Sequence, residues 1–255
     1  MLMQLDKFIS KEYIVDNKIE LPHHINQVNI DIGLSFNAPV SYEWLKTNPE
    51  LVVFGFEPNS GNIQILKDLN KKNTPIGKSS QYKKNDIKKF IGNRFFILPF
   101  ALSNFNGNAT FYNIKNKINI DTKKYDYDSG SSSLLEPKTM KYFKTEVKVF
   151  RLEKFLAQFN WDKIPFIHQV KIDAQGEDFK IIYGMGKYIK KVYAISYEMN
   201  APGYFGYKNY KFKNIKMFIY MFLKGFQFFK KTSSDIVFIN KRFNISNQKI
   251  MVIGT

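Results

Sequence analysis

Short apolar, β-branched runs alternate along this chain with stretches of helical spacing, and polar connections separate the pairs. "QVNIDI", 27–32, predicts a buried strand running into the turn "GLSFN", and Pro39 through Leu45 predicts a helix entered at a proline, which suits a first helical turn. "LVVFGFEP", 51–58, predicts a second strand, with a helix over 60–69. After a polar stretch from Asn70 to Asn93 come a third strand, "RFFILPFALS", and a further strand-like run, "NATFYNI", at 108–114. A Ser/Asp-rich loop holding "DYDSGSSSLLEP" leads to "VKVFRLEKFLAQF", a short strand turning into a helix. "FIHQVKIDA", 166–174, reads as a fourth core strand before a helix over 177–185, and "KVYAISYEMN" as a fifth. A helical "YKNYKFKNIKMFIYMFLKGF" precedes "FQFFKKTSSDIVFINK", an expected antiparallel hairpin turning near Thr232–Ser234.

Such alternation predicts an open, three-layer α/β sheet, mostly parallel and closed by a C-terminal antiparallel hairpin. No internal repeat or long linker divides the 255 residues, so one domain is expected over 1–255. Within it, 1–26 form an N-terminal extension, and 70–93 and 115–146 are polar connections. Ligands of open α/β sheets sit beyond the carboxyl ends of the strands, near the point where strand order reverses.

Carboxylates stand at four of those ends: Asp31, Glu57, Asp173 and Glu198. A single acid after a strand is commonly a helix cap or a solvated turn residue. Four at successive strand ends converge on one crevice if the strand assignments hold. Glu57 lies 24 residues beyond Gly33, the offset at which an acid in a nucleotide-binding α/β unit accepts hydrogen bonds from ribose hydroxyls. A dinucleotide site also wants a glycine-rich turn closing on a pyrophosphate, yet 31–37, "DIGLSFN", has one glycine and an acid that repels phosphate. S-adenosylmethionine has the adenosine without the phosphate, and its sulfonium and ammonium groups favour nearby carboxylates. The residues that count against NAD count for a methyl donor.

In order, "VNIDIGLSFNAPVSYEWL", "VVFGFEPN", "FILPFALSNFNGNATFYN", "GSSSLLEP", "VFRLEKFL" and "VKIDAQGEDFKIIYGM" resemble the FkbM-family methyltransferases, over roughly Val28 to Glu198. The Asp-x-Gly strand end is a weak signal alone; the ordered set is specific. The resemblance implies a Rossmann-like class I sheet using S-adenosylmethionine. It implies that Asp31 and Gly33 line the methionine part; Ser35, in the same turn, is a further candidate for holding the cofactor. It also implies that Glu57 binds the ribose beside Pro58 and Asn59, and that Ala101, Leu102 and Ser103 neighbour the adenine. Two positions depart from the family pattern: Asn104 stands where Asp is usual, and Gln175 where Glu is usual. Glu177 is not assumed to replace the missing charge. The family association points to oxygen acceptors, a sugar or other small-metabolite hydroxyl.

If the acceptor is a hydroxyl, a general base adds about 10²–10⁴-fold. Asp173 is the first candidate for that base or for a positioning contact, and Glu198 the second; capping of the helix near Glu177 is the other role open to Asp173. His168 belongs at the opposite edge of the sheet. The loop "DYDSGSSSLLEP" is expected to fold over the site. Tyr197, Tyr204, Phe205 and Tyr207 can stack on a ring or pack on the final helix. A chain with no cysteine and three histidines offers little to a metal, and none is expected.

The formal charge of +17 raises nucleic-acid binding, but the lysines are scattered among Asn, Ile, Phe and Tyr. The densest group, Lys78, Lys83, Lys84, Lys88 and Lys89, falls in a polar connection. A small-molecule acceptor is therefore favoured over RNA, and a non-catalytic nucleoside-binding module is the remaining alternative. "MLMQLDKFIS" lacks a secretory layout and "MFIYMFL", 217–223, is far short of the roughly 20 residues that span a bilayer, so a cytoplasmic protein is expected. Oligomeric state is not readable from these patterns.

Overall fold

The computed structural model describes residues 5–68, 86–114, 130–198, 214–232 and 235–243. In chain order the strands and helices are β1 (Ile14–Val15), β2 (Lys18–Ile19), β3 (Gln27–Ile32), α1 (Pro39–Thr47), β4 (Leu51–Phe56), α2 (Ser60–Asp68), β5 (Phe95–Leu98), β6 (Ala101–Ser103), β7 (Gly107–Ile114), β8 (Tyr142–Arg151), α3 (Leu152–Leu156), β9 (Ile167–Ile172), α4 (Asp178–Tyr183), β10 (Val192–Glu198), α5 (Asn214–Leu223), β11 (Phe226–Lys231) and β12 (Asp235–Asn240).

Seven strands form the main sheet in the order β11-β12-β10-β9-β3-β4-β5, in which β12 runs against the rest. The chain leaves β3 toward β4 and β5, then returns to its other side with β9 and β10. Strand order therefore reverses at β3/β9, and a crevice opens above that pair. Side chains alternate across the sheet. Val52, Phe54, Phe56, Phe96 and Leu98 join one apolar cluster with α3, α4 and α5, while Val53, Phe95 and Ile97 join another with α1 and α2. Phe54 is fully buried, ringed by Phe96, Phe155 and Phe159 at 5.7, 5.3 and 5.7 Å between centroids.

α1 starts at Pro39 as its sequence predicts, and its end is closed from outside: the Arg94 guanidinium donates to the Leu45, Asn48 and Leu51 carbonyls. The Leu45 and Asn48 carbonyls are acceptors at the helix end that the helix itself cannot satisfy, and the Leu51 carbonyl belongs to the start of β4.

Three elements differ from the sequence pattern. The run 94–103, expected as one strand, breaks at Pro99, which has no N–H to donate to a ladder. Phe95–Leu98 stays in the main sheet as β5, whereas Ala101–Ser103 leaves as β6 to join a second sheet, β6-β8-β7. β8 begins at Tyr142, inside the stretch read as a polar connection; Lys144 and Glu146 face water there, so one face of the strand carries no apolar signal. The N-terminal extension holds a two-residue hairpin, β1–β2, whose Asp16 and Asn17 have φ of 48° and 60°, the left-handed pair that such tight turns demand. Beside it Tyr13 is fully buried against Phe96. The turn of the expected C-terminal hairpin, Ser233 and Ser234, lies outside the described residues, as do Tyr204, Phe205, Tyr207 and loop residues 126–129. Among the described residues no helix is long and apolar enough to cross a membrane.

Candidate active site

At the carboxyl ends of β3, β4 and β9 lies a cavity of about 610 Å³, its open mouth included. Its walls come from the turn after β3 (Gly33, Ser35), the end of β4 (Phe56, Glu57, Pro58), β6 and the residue before it (Phe100, Ala101, Leu102), β7 (Phe111) and the β9–α4 turn (Asp173 through Gln175, Glu177). The serine-rich loop closes one side with Gly130, Ser132, Ser133 and Leu134. Ser133 ties that loop down by donating from Oγ to the Gln175 carbonyl at 2.8 Å.

Glu57 is buried and held from two sides. The Ser35 N–H donates to its Oε2 at 3.0 Å and the Asn59 N–H to its Oε1 at 2.8 Å. Both oxygens of the carboxylate are thereby fixed at the cavity wall. The β3 turn reaches Glu57 by unusual backbone: Gly33 and Ser35 have φ of 83° and 56°. Gly33 lies so close to β9 that a Cβ would stand 1.9 Å from the Asp173 carbonyl oxygen. On the far wall Gln175 has φ of 50° and Gly176 of 98°. Strained backbone on both walls of one crevice is characteristic of a binding site.

Behind the cavity the carboxylates are organised by one buried cation. Lys171, paired in register with Asp31, donates to Asp173 Oδ2 at 3.1 Å and lies 3.9 Å from Asp31 Oδ1. Burial pulls the Lys171 ammonium down, but Asp173, Asp31 and Asp235 outweigh it and hold its pKa above the usual value. Asp31 itself is pushed up by burial, against the pull of Lys171 and of Ser41, whose hydroxyl donates to it at 2.6 Å. Gln175 Nε2 donates to both Asp173 Oδ1, at 2.8 Å, and Glu198 Oε2, at 3.3 Å. Burial, then Asp173 and Asp235, raise Glu198 to about 7. Burial, then Asp173 and Glu198, raise Asp178 to about 8.

A family model described as the methyltransferase FkbM domain matches residues 30–228. The chain belongs to the FkbM methyltransferase family. A comparison with curated proteins finds no match.

Set against this FkbM chain's cavity, the expected site residues divide. Gly33, Ser35, Glu57, Pro58, Ala101, Leu102 and Asp173 line it. Asp31 does not: its carboxylate turns to Ser41 and Lys171 on the α1 side of the sheet. Asn59 is a helix cap. Its Oδ1 accepts from the Asn62 N–H at the start of α2, and its Nδ2 donates to Asn113 of β7. Ser103 sits behind the wall, donating to Glu177 at 2.6 Å, and Asn104 is exposed beside it. Glu198 stands one residue farther, reached through Gln175. Asp173 does not cap α4; the Gly176 N–H is taken instead by Asp178. His168, near the start of β9, accepts from the Val28 N–H at the amino-terminal end of β3, away from the cavity.

Two lining residues carry more than their sequence positions indicated. Glu177, buried between Ser103 and Lys180 (2.6 Å each), pins β6 against α4. Gln175 supplies an N–H₂ that bonds two carboxylates at once; a glutamate there could donate only when protonated and would add a further charge beside Asp173 and Glu198.

Proposed function

We propose that this chain transfers a methyl group from S-adenosylmethionine to a hydroxyl of a sugar or other small metabolite, on a three-layer, Rossmann-like class I framework. The observation that carries the reading is Glu57: a carboxylate held by two backbone N–H groups at the wall of the cavity, beside a turn with one glycine. The residues of that wall suit an adenosine. Ser35 Oγ is buried at its wall with no protein partner among the described residues, and Gly33 leaves that wall bare. The donor, when bound, supplies a methyl group on a positively charged sulfur, an excellent leaving group.

The chain's own residues then have three tasks. Glu57 and Ser35 take the ribose hydroxyls; Ala101, Leu102 and Phe100 form the apolar wall for the base. Asp173, ion-paired with Lys171, accepts the hydrogen bond of the acceptor hydroxyl and so orients its oxygen, a contribution of several kcal/mol through positioning, and takes the hydroxyl proton as the new O–C bond forms and the C–S bond breaks. Glu198, raised to about 7, shares the Gln175 N–H₂ with Asp173 and so helps fix that carboxylate in place. The Ser132–Leu134 wall limits water at the reacting centre.

Calorimetric titration with S-adenosylhomocysteine, NAD and ATP tests the donor. S-adenosylhomocysteine should bind, and Glu57→Ala should weaken it by at least about tenfold, since the carboxylate organises two turns as well as the ribose. Equal binding by Glu57→Ala, or tighter binding of NAD, would remove the basis of the assignment. Asp173→Asn should leave that binding within a few-fold while abolishing most methyl transfer in a screen of hydroxyl acceptors.

A further inference from the structure

From Met199 to Ser234 the sequence has no aspartate or glutamate, but seven lysines and eleven aromatic residues. The described part of this stretch holds six of the nine exposed large hydrophobic side chains among the described residues. α5 buries Met217 and Met221 in the core, yet its outward face is also apolar: Ile215, Ile219, Phe222 and Leu223 are 69, 55, 68 and 75 % exposed. Phe228 and Phe229 of β11 continue the patch at about half exposure. A helix apolar on every side is ordinarily buried on every side. Lysines border the patch and lie over its rings: Lys224 on Tyr220, Lys230 on Phe229 and Lys241 on Phe222, with Lys216 exposed on the helix.

We propose that this face docks on the surface of an anionic lipid bilayer, α5 lying in the interface with its outer side chains in the acyl boundary and the lysines at the headgroups. Charge complementarity selects this occupant: an acid-free, lysine-bordered patch on a chain of formal charge +17 matches an anionic leaflet. Two rivals fit less well. A second copy would present the same positive charge, and strand addition is obstructed because the edge strand β11 carries a bulge between Phe228 and Lys230 and two lysines beyond it. Single-stranded nucleic acid stacks on aromatic faces, but Ile215, Ile219 and Leu223 have none to offer. None of these side chains lines the Glu57 cavity, so this inference stands apart from the proposed reaction.

Co-sedimentation of the full chain with phosphatidylcholine vesicles, with and without roughly 30 mol % phosphatidylserine, tests it. Partitioning should be at least about tenfold stronger with phosphatidylserine and fall toward the neutral-vesicle value in about 0.5 M salt. Two double variants separate the contributions. Ile219→Glu with Phe222→Glu should lose binding to both vesicle types, and Lys224→Gln with Lys230→Gln should lose the preference for the anionic one. Because Ile219 and Phe222 are exposed and Lys224 and Lys230 are partly exposed, circular dichroism and S-adenosylhomocysteine binding should match the parent. The proposal is overturned by equal pelleting of parent and variants, by no pelleting, by a concentration-dependent dimer in sedimentation velocity that Phe222→Glu dissolves, or by an oligonucleotide that displaces the vesicles.

Discussion

Gly33→Ala isolates the contact that sets the cavity's shape. A Cβ there would meet the Asp173 carbonyl oxygen at 1.9 Å and its carbon at 2.9 Å, both backbone atoms that cannot swing aside. Bringing the oxygen to 3.0 Å requires the ends of β3 and β9 to part by 3.0 minus 1.9, or 1.1 Å. That stretches the adjacent Asp173 N–H to Ile32 carbonyl bond, now 2.9 Å, beyond hydrogen-bond range. The lost bond costs about 1 kcal/mol, the overpacking about 1–3 and the left-handed φ about 1–2, for a total of about 3–6 kcal/mol. Gly92 is the matched control. Its φ of 82° is the same as Gly33's 83° within a degree, but a Cβ there meets nothing within 4 Å. Gly92→Ala should therefore cost the φ penalty alone, about 1–2 kcal/mol. Guanidinium unfolding of both variants at constant m measures the difference, expected at about 2–4 kcal/mol. S-adenosylhomocysteine titration should show affinity lost in Gly33→Ala and kept in Gly92→Ala. Equal destabilisation of the two, within about 0.5 kcal/mol, would refute the close-approach reasoning.

Phe54→Ala empties a site enclosed by three rings and should cost about 3–5 kcal/mol in the same unfolding assay. Burial pushes His168 down from 6.5 to about 4, so between those values the unfolded chain binds a proton that the folded chain refuses. Stability should fall as pH drops through that window, by about 3 kcal/mol in all, and His168→Gln, which keeps an acceptor for the Val28 N–H, should flatten the fall. Asp178 has the opposite sign: raised to about 8, it is protonated when folded at pH values where the unfolded chain has released the proton. Its contribution is complete below the ordinary carboxylate range and lost as pH rises toward 8; Asp178→Asn should remove that loss, seen as a smaller decline in melting temperature from pH 5 to about pH 9.

How legible this molecule is varies by element, for physical reasons. The order of strands and helices was readable because burial demands apolar runs and helices demand their own spacing, and Pro39 marks where α1 begins. The place of Glu57 at the cavity wall was readable because its position after the second strand is a local property. Family membership was readable from ordered local phrases. Pairing was not. That Pro99 diverts Ala101–Ser103 into another sheet depends on which strand accepts it, and β8's exposed face gave no signal at all. The fates of the four acids also depended on neighbours distant in sequence. Asp31 faces Ser41 and Lys171, Asp173 shares Lys171 and Gln175, and Glu198 is reached through Gln175. Residue types along the chain determined that carboxylates would stand at the strand ends. Tertiary structure decided which of them meet the cavity, because a side chain's direction follows from strand register, and its charge state from what burial places beside it.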